Sequence, residues 1–419
     1  MLHLLLIIII SGFLSVVSIT SVQAQLFKRK LLPNLLKKHP EYFKNILADP
    51  AKYRIQIIYT QINRDKQNQP HFKTFTYRLN PHEYFYPAST VKLPGALLAL
   101  EKLNNLHIPG LNKDTPLRID SAYAKQTVVV TDSTAPNNLP SIAHYIKKIF
   151  LVSDNDAYNR LYEFLGQEQL SEVLRQKGYS DVRLLHRLSV GDVGETTRYT
   201  NPITFYQNDK IIYQQPLVQN TRTYSNALKN IHLGKGYYNA RNQLINQPMD
   251  FSDRNYINLE TLHQILKSVI FPEAVPAQQR FHLTPDDYDF VLKYMSMKPS
   301  ESSFPHYDTT TYYDTYAKFF MFGNRHKTMP PNIRIFNKIG NAYGFMIDNA
   351  YIVDFENKVE FLLSAVVLGN EDNIFNDDKY EYETICYPFL INLGQVIYQN
   401  ELKRTKKHLP DLSRFIFTY

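Results

Sequence analysis

Ser89-Thr90-Val91-Lys92 sets a hydroxyl and an amine one helical turn apart, so that both fall on one face if Ser89 opens a helix. The flanks predict that helix. Pro81 and Pro87 keep the approach extended, whereas Val91-Lys92-Leu93 and Ala96-Leu97-Leu98-Ala99-Leu100-Glu101 form a helical, mostly apolar run. Ser89 then sits near the positive end of a buried helix, where a developing anion is favoured. A serine hydroxyl is a weak nucleophile and needs a base within hydrogen-bond reach. Lys92 is such a base only when neutral, so its pKa has to fall from about 10.4 through burial and neighbouring positive charge. Standing alone, the motif reads first as a helix N-cap.

Two later signals change that reading. Ser153-Asp154-Asn155 precedes Asp156 to Gly166, a helical run ending at glycine, and Lys338-Ile339-Gly340 follows on a strand. Either alone has a plain structural account, the first as an N-cap cluster and the second as a solvated edge charge. In this order, the three motifs point to acyl transfer through a serine ester.

The set resembles the class A β-lactamase and penicillin-binding protein family, whose signature is Ser-x-x-Lys, then Ser-Asp-Asn, then Lys-Thr-Gly. The first two are matched in full and the third at Lys338 and Gly340, within Asn337-Lys338-Ile339-Gly340-Asn341-Ala342-Tyr343-Gly344. The resemblance spans about Tyr53 to the C-terminus with one long interruption. It implies that Ser89 attacks a carbonyl, that Lys92 takes or relays its proton, and that Ser153 passes a proton to the departing nitrogen. It also implies that Asn155 bonds the substrate's side-chain amide and Lys92, and that Lys338 faces the substrate carboxylate. Gly340 is expected to let the substrate backbone approach the strand. Backbone N–H groups of Ser89 and Asn341 are expected to form the oxyanion hole.

Two positions depart from the family pattern. Ile339 replaces the hydroxyl residue that helps hold a carboxylate, so recognition of that group is weakened or different. The Glu-x-x-Leu-Asn string, whose glutamate activates the water that frees the acyl-enzyme, does not occur. Aligning Thr200-Asn201-Pro202 with the end of that loop puts the missing glutamate near Leu185 or His186. Glu195 is the nearest carboxylate in sequence and the candidate deacylating base, with Asp192 close by. An exposed loop glutamate is the plain alternative. His186, which titrates near neutrality, is a further candidate. Without any of them, the enzyme acylates and then stalls or passes the acyl group to an amine.

The rest of the chain bounds these readings. Met1 to Ala24 carries Leu4-Leu5-Leu6-Ile7-Ile8-Ile9-Ile10 and ends Val22-Gln23-Ala24, a secretory signal peptide in outline; an uncleaved anchor is the alternative. The protein is therefore expected in the periplasm or secreted, as a monomer without stable membrane insertion after cleavage. Cys386 is the single cysteine, which rules out an intramolecular disulfide and fits a buried apolar site. Histidines are scattered without metal-ligand spacing, and no Gly-rich phosphate loop is present, so neither a metal nor a cofactor is expected. The 47 basic and 39 acidic residues give a net charge of +8 spread along the chain, with no nucleic-acid motif. The expected partner is a small β-lactam or a cell-wall peptide.

The pattern predicts an α/β chain of the β-lactamase/D,D-peptidase-like fold. Strands are expected at Arg54–Thr60, His71–Tyr77, Arg334–Lys338, Gly344–Asp354 and Val359–Leu368, with helices at Asn258–Phe271, Thr284–Met297 and about Tyr380–Lys403. The resemblance implies that these strands form one antiparallel five-stranded sheet flanked by helices, residues 50–85 and 332–419, beside a mainly helical half, residues 86–331. Residues 25–419 then form a single catalytic domain. The helical half is longer than relatives need by roughly 80 residues, which requires secondary structure of its own within about 203–331. Phe205–Gln214, turning at Asn208-Asp209, reads as a hairpin there. The tyrosines of that region, Tyr307 to Tyr316 among them, read as packing aromatics or a stacking wall for a glycan or peptide.

Overall fold

The structure, a computed structural model, describes residues 30–419 apart from 124–126, 180, 192–193, 225–227, 229 and 324–327. The expected signal peptide and Asp192 lie outside the described residues. In chain order the main elements are α1 (Pro40–Ala48), β1 (Gln56–Arg64), β2 (Pro70–Tyr77), α2 (Lys92–Leu106), α3 (Ile142–Val152), α4 (Asn155–Gln176), α5 (Leu259–Ile270), α6 (Pro285–Ser296), β3 (Ile333–Ala342), β4 (Phe345–Asp354), β5 (Val359–Leu368) and α7 (Tyr387–Lys403).

The five strands form one sheet in the order β3-β4-β5-β1-β2. All neighbours are antiparallel, with Ile57 opposite Ala365 on β5 and Tyr77 on β2, and Lys338 opposite Asn349. The terminal strands therefore meet in one sheet, as expected, and β3 is its edge. Both faces of the middle strands are covered, which is why β5 reads as an unbroken apolar run. Side chains still alternate along it. Phe361, Leu363, Ala365 and Val367 enter the core shared with Phe43 of α1 and Phe389, Leu393 and Ile397 of α7. Leu362, Val366 and Leu368 enter the core shared with α2, α4 and α5.

Helix boundaries follow local chemistry. Asn258 caps α5 by accepting from Thr261 N, and Thr284 with Asp287 forms a capping box at α6. Helix α4 is two helices joined at Gly166, whose φ of 75° and ψ of 169° break the path where the sequence predicts a stop. Helix α7 begins at Tyr387, later than the expected Tyr380, because Tyr382–Cys386 is a π-helical turn. Cys386 is fully buried there, and burial pushes its thiol pKa up.

Residues 203–331 carry the extra structure that their length requires. Ile203–Gln207 and Lys210–Gln215 form the expected hairpin, with Asn208 and Asp209 at φ of 48° and 61° as a left-handed two-residue turn requires. Farther on, Gly236–Tyr238 pairs with Leu244–Ile245 on one side and, in parallel, with Ile374–Phe375 on the other. That last contact ties this region to the loop following β5. Among the described residues no helix is long and apolar enough to cross a membrane.

Candidate active site

Ser89 lies on a short 3-10 turn, Ala88–Val91, that runs directly into α2. Ala88 is held at a φ of 47°, an unfavourable conformation for a residue with a side chain that turns the chain sharply just before the hydroxyl. Edge strand β3 packs against this turn. A Cβ added at Gly340 would stand 2.8 Å from Pro87 O and 3.0 Å from the backbone nitrogens of Ser89 and Thr90. The missing side chain therefore admits the nucleophile's own turn.

Lys92 is fully buried, and its amine donates to Ser89 Oγ at 2.7 Å, to Asn155 Oδ1 at 2.6 Å, to Ser153 O at 2.5 Å and to Ser153 Oγ at 3.3 Å. Burial pushes its pKa down to about 7, and the charge of Asp154 opposes that fall. Two of the contacts, Asn155 Oδ1 and Ser153 O, can only accept, so they hold two N–H bonds. When the amine is neutral, its lone pair is then left for the Ser89 hydroxyl.

Ser153-Asp154-Asn155 is both a capping cluster and part of this site. Ser153, at a φ of 60°, ends α3, and the Asp154 carboxylate accepts from Ala157 N at 2.9 Å to cap α4. The sharp passage between the two helices turns Ser153 and Asn155 toward Lys92. Lys338 closes the far side by donating to Ser153 Oγ at 2.8 Å and to Ile339 O at 2.9 Å. Ser153 Oγ thus accepts from two amines, and its own proton is left to donate. Burial first, and the charge of Lys92 second, hold Lys338 well below the usual lysine range.

These groups border a cavity of about 640 Å³. Ser89, Ser153, Asn155, Ile339 and Asn341 line it, as do Tyr86, Tyr316, Phe319, Tyr343, Tyr380, Tyr382 and Tyr387. Six residues of the lining, Ala88, Ser153, Ser189, Tyr343, Asn376 and Asp378, have positive φ without being glycine. Such conformations cost roughly 1–3 kcal/mol each and persist where the surroundings over-determine them.

The structure does not bring Glu195 to Ser89. Its side chain is 59% exposed, pairs with Arg198 at 3.4 Å and is absent from the lining. The stretch where the missing glutamate was expected is occupied otherwise. His186 is buried, with Nδ1 donating to Arg187 O at 2.6 Å and Nε2 accepting from Asn255 N at 3.1 Å. It therefore ties this loop to Asn255 and does not face Ser89. Ser189 enters the lining instead, and its Oγ accepts from Asn155 Nδ2 at 2.8 Å. Below the loop, Glu163 on α4 accepts from Arg187 Nε and from Asn201 N, both at 2.6 Å.

Three parts of the site were not assigned to it from the sequence: Ser189, the aromatic lining other than Tyr316, and a buried network behind β3. In that network Lys318 Nζ donates to Met295 O and Asn337 Oδ1, each at 2.7 Å, and Asn337 Nδ2 donates to Asp348 at 2.8 Å. Asp348 accepts from the backbone of Phe319 and Phe320. Burial pushes Lys318 down to about 7 and Asp348 up to about 6. The network fixes the segment that presents Phe319 to the cavity. A hint existed in Asn337 and Asp348, polar residues inside otherwise apolar strands.

The model of the Beta-lactamase enzyme family matches residues 40–386. A search of curated proteins finds no match. Among solved structures, the chain is similar to a β-lactamase from Sphaerobacter thermophilus at 12% identity, with 85% of this chain and 94% of that one covered and a TM-score of 0.45. It is similar to an ancestral class A β-lactamase at 13% identity, with 89% and 99% covered and a TM-score of 0.47. A class A β-lactamase from Mycobacterium abscessus also matches, at 13% identity with 85% and 98% covered and a TM-score of 0.45. The family match runs from the start of α1 through Cys386 and takes in Ser89, Lys92, Ser153, Asn155 and Lys338: the chain belongs to the β-lactamase enzyme family.

Proposed function

We propose that the protein is an exported serine acyl hydrolase that opens a β-lactam, or a related amide, through an acyl-enzyme on Ser89. The observation that carries this reading is the buried amine of Lys92, 2.7 Å from Ser89 Oγ and anchored by Asn155 and Ser153. Neutral Lys92 takes the hydroxyl proton as Ser89 Oγ bonds to the substrate carbonyl. The oxyanion is held by the N–H groups of Ser89 and Asn341. The C–N bond then breaks, and the nitrogen leaves with the proton of the Ser153 hydroxyl, which Lys92 replaces. Lys92 is again neutral and stands next to the ester. It is the group placed to activate water for release, since the described lining brings no loop glutamate to that task.

Slow release is a second reading, favoured by the position of Glu195 on the surface. In that case the protein acts as a covalent sensor or binding module. Export rests on the apolar residues 1–24, and residues 25–419 are taken as one catalytic domain working as a monomer. The test is an intact-mass time course with excess benzylpenicillin, read beside an assay of opened drug and the Ser89→Ala variant. An adduct that forms and clears as drug is consumed supports the hydrolase, and a persistent adduct supports the sensor. Cleavage of a D-Ala-D-Ala peptide would instead identify a D,D-peptidase.

A further inference from the structure

One wall of the cavity is assembled by parts of the chain far from the three motifs. The loop after β5 supplies Asn376, Asp378 and Tyr380 to the lining. Its path is fixed from outside by residues 234–245. Ile374–Phe375 pairs in parallel with Gly236–Tyr238, Lys235 N donates to Asn373 O at 2.9 Å, and Asn376 Nδ2 donates to Tyr238 O at 3.0 Å. The approach is so close that a Cβ at Gly234 would stand 2.5 Å from Asn373 O. On the cavity side, the Tyr380 hydroxyl accepts from Asn376 N at 2.6 Å, and the Tyr380 and Tyr382 rings lie 5.6 Å apart. Asn376 and Asp378 are held at φ of 65° and 59°. This wall is a fixed structure, and it is aromatic with one carboxylate.

Elsewhere in the lining are Ile339 and Phe319, both almost wholly buried, and Tyr387, whose ring meets that of Phe319 at 5.2 Å. Lys338, the residue expected to face a substrate carboxylate, is 2% exposed, and its amine is turned to Ser153 Oγ and Ile339 O. Among the described residues that line the cavity, the only charged side chain is that of Asp378. A substrate carboxylate placed here meets no cationic side chain among the described lining residues, and meets the anion Asp378. Aromatic rings meet tyrosine faces and edges.

We propose that this site selects aromatic acyl donors that carry no carboxylate, and that residues 234–245 act as its specificity element by bracing the loop of Asn376, Asp378 and Tyr380. The inference rests on the Ser89 acyl-enzyme and names the substrate class for it. The covalent step is unchanged: Ser89 Oγ bonds to the carbonyl carbon, the bond to the leaving nitrogen breaks, and the serine proton reaches that nitrogen through Lys92 and Ser153.

The test compares benzylpenicillin with its methyl ester, two probes that differ only in the carboxylate, by the second-order rate of Ser89 adduct formation in the full-length protein. The ester is expected to react about tenfold faster or more, since like charges facing each other at a binding surface are strongly penalised. Asp378→Asn is expected to raise the free-acid rate about threefold relative to the ester rate; asparagine also tolerates positive φ. A free acid that reacts as fast as the ester, or an Asp378→Asn variant that moves both rates equally, overturns the proposal and leaves the acyl-enzyme intact. Absence of any Ser89 adduct from both probes overturns the acyl-enzyme reading, and this inference with it.

Discussion

Gly340 and Ser89 are in direct backbone contact: a Cβ on the glycine would lie 3.0 Å from the serine nitrogen and 2.8 Å from Pro87 O. The edge strand and the nucleophile's turn are therefore fitted to one another without a gap. Gly340→Ala is expected to push the turn away from β3, at a stability cost of about 1–3 kcal/mol typical of overpacking. Because the shift falls on the nucleophile, Ser89 acylation should drop by about tenfold or more. Thermal unfolding together with the adduct rate checks this, and a variant with parental values in both would show that the contact is slack.

Lys92 predicts the shape of the pH profile. Burial brings its pKa down to about 7, so the fraction carrying a lone pair for the Ser89 proton grows as pH rises through that value. Acylation should rise with pH, reach half its limit near pH 7 and level off above it. Lys92→Ala removes a general base and is expected to cost about a hundredfold or more. A flat profile between pH 5 and 9, or a variant acylating at the parental rate, would remove Lys92 from that role.

Glu195 points in the opposite direction. Exposed, and paired with Arg198 across 3.4 Å, it forms an ordinary surface ion pair of small energetic weight. Glu195→Gln is expected to leave the rate of adduct loss within about twofold of the parent, with stability unchanged to within about 1 kcal/mol. Single-turnover clearance of the adduct measures it, and a tenfold slowing would return Glu195 to the mechanism.

The pair below the loop is of another kind. Glu163 and Arg187 have side chains only 4% and 11% exposed and bond at 2.6 Å, so deleting one leaves the other charged and buried. Glu163→Ala should destabilise the protein by about 3–5 kcal/mol. It should also loosen the stretch carrying Ser189. Denaturant unfolding tests the first part, and a loss under about 1 kcal/mol would contradict it.

Much of the sheet was legible because its strands are punctuated. Val359–Leu368 begins and ends where the sequence predicts, after the Asp354-to-Asn357 turn, and helix α5 differs from its expected bounds by one residue at each end. Lys92, Ser153, Asn155 and Lys338 were legible because three ordered motifs constrain one another in space. The loop after α4 was not. Proximity in sequence made Glu195 the candidate base, yet the intervening turns carry it to the surface. Of the aromatic lining, Tyr316 belongs to the run read as packing aromatics or a stacking wall, whereas Tyr86, Tyr343 and Tyr380 belong to three other segments that only the tertiary fold gathers. Gly340 was noticed for a sound reason, the need for space, but what fills that space is a backbone distant in sequence.

The most direct test of the central claim is peptide mapping of the protein after brief exposure to millimolar benzylpenicillin methyl ester, in parallel with Ser89→Ala. The account predicts a mass gain of one intact drug molecule, confined to the peptide containing Ser89 and absent from the variant. A drug adduct on another residue, or drug opening at the same rate by Ser89→Ala, would contradict it.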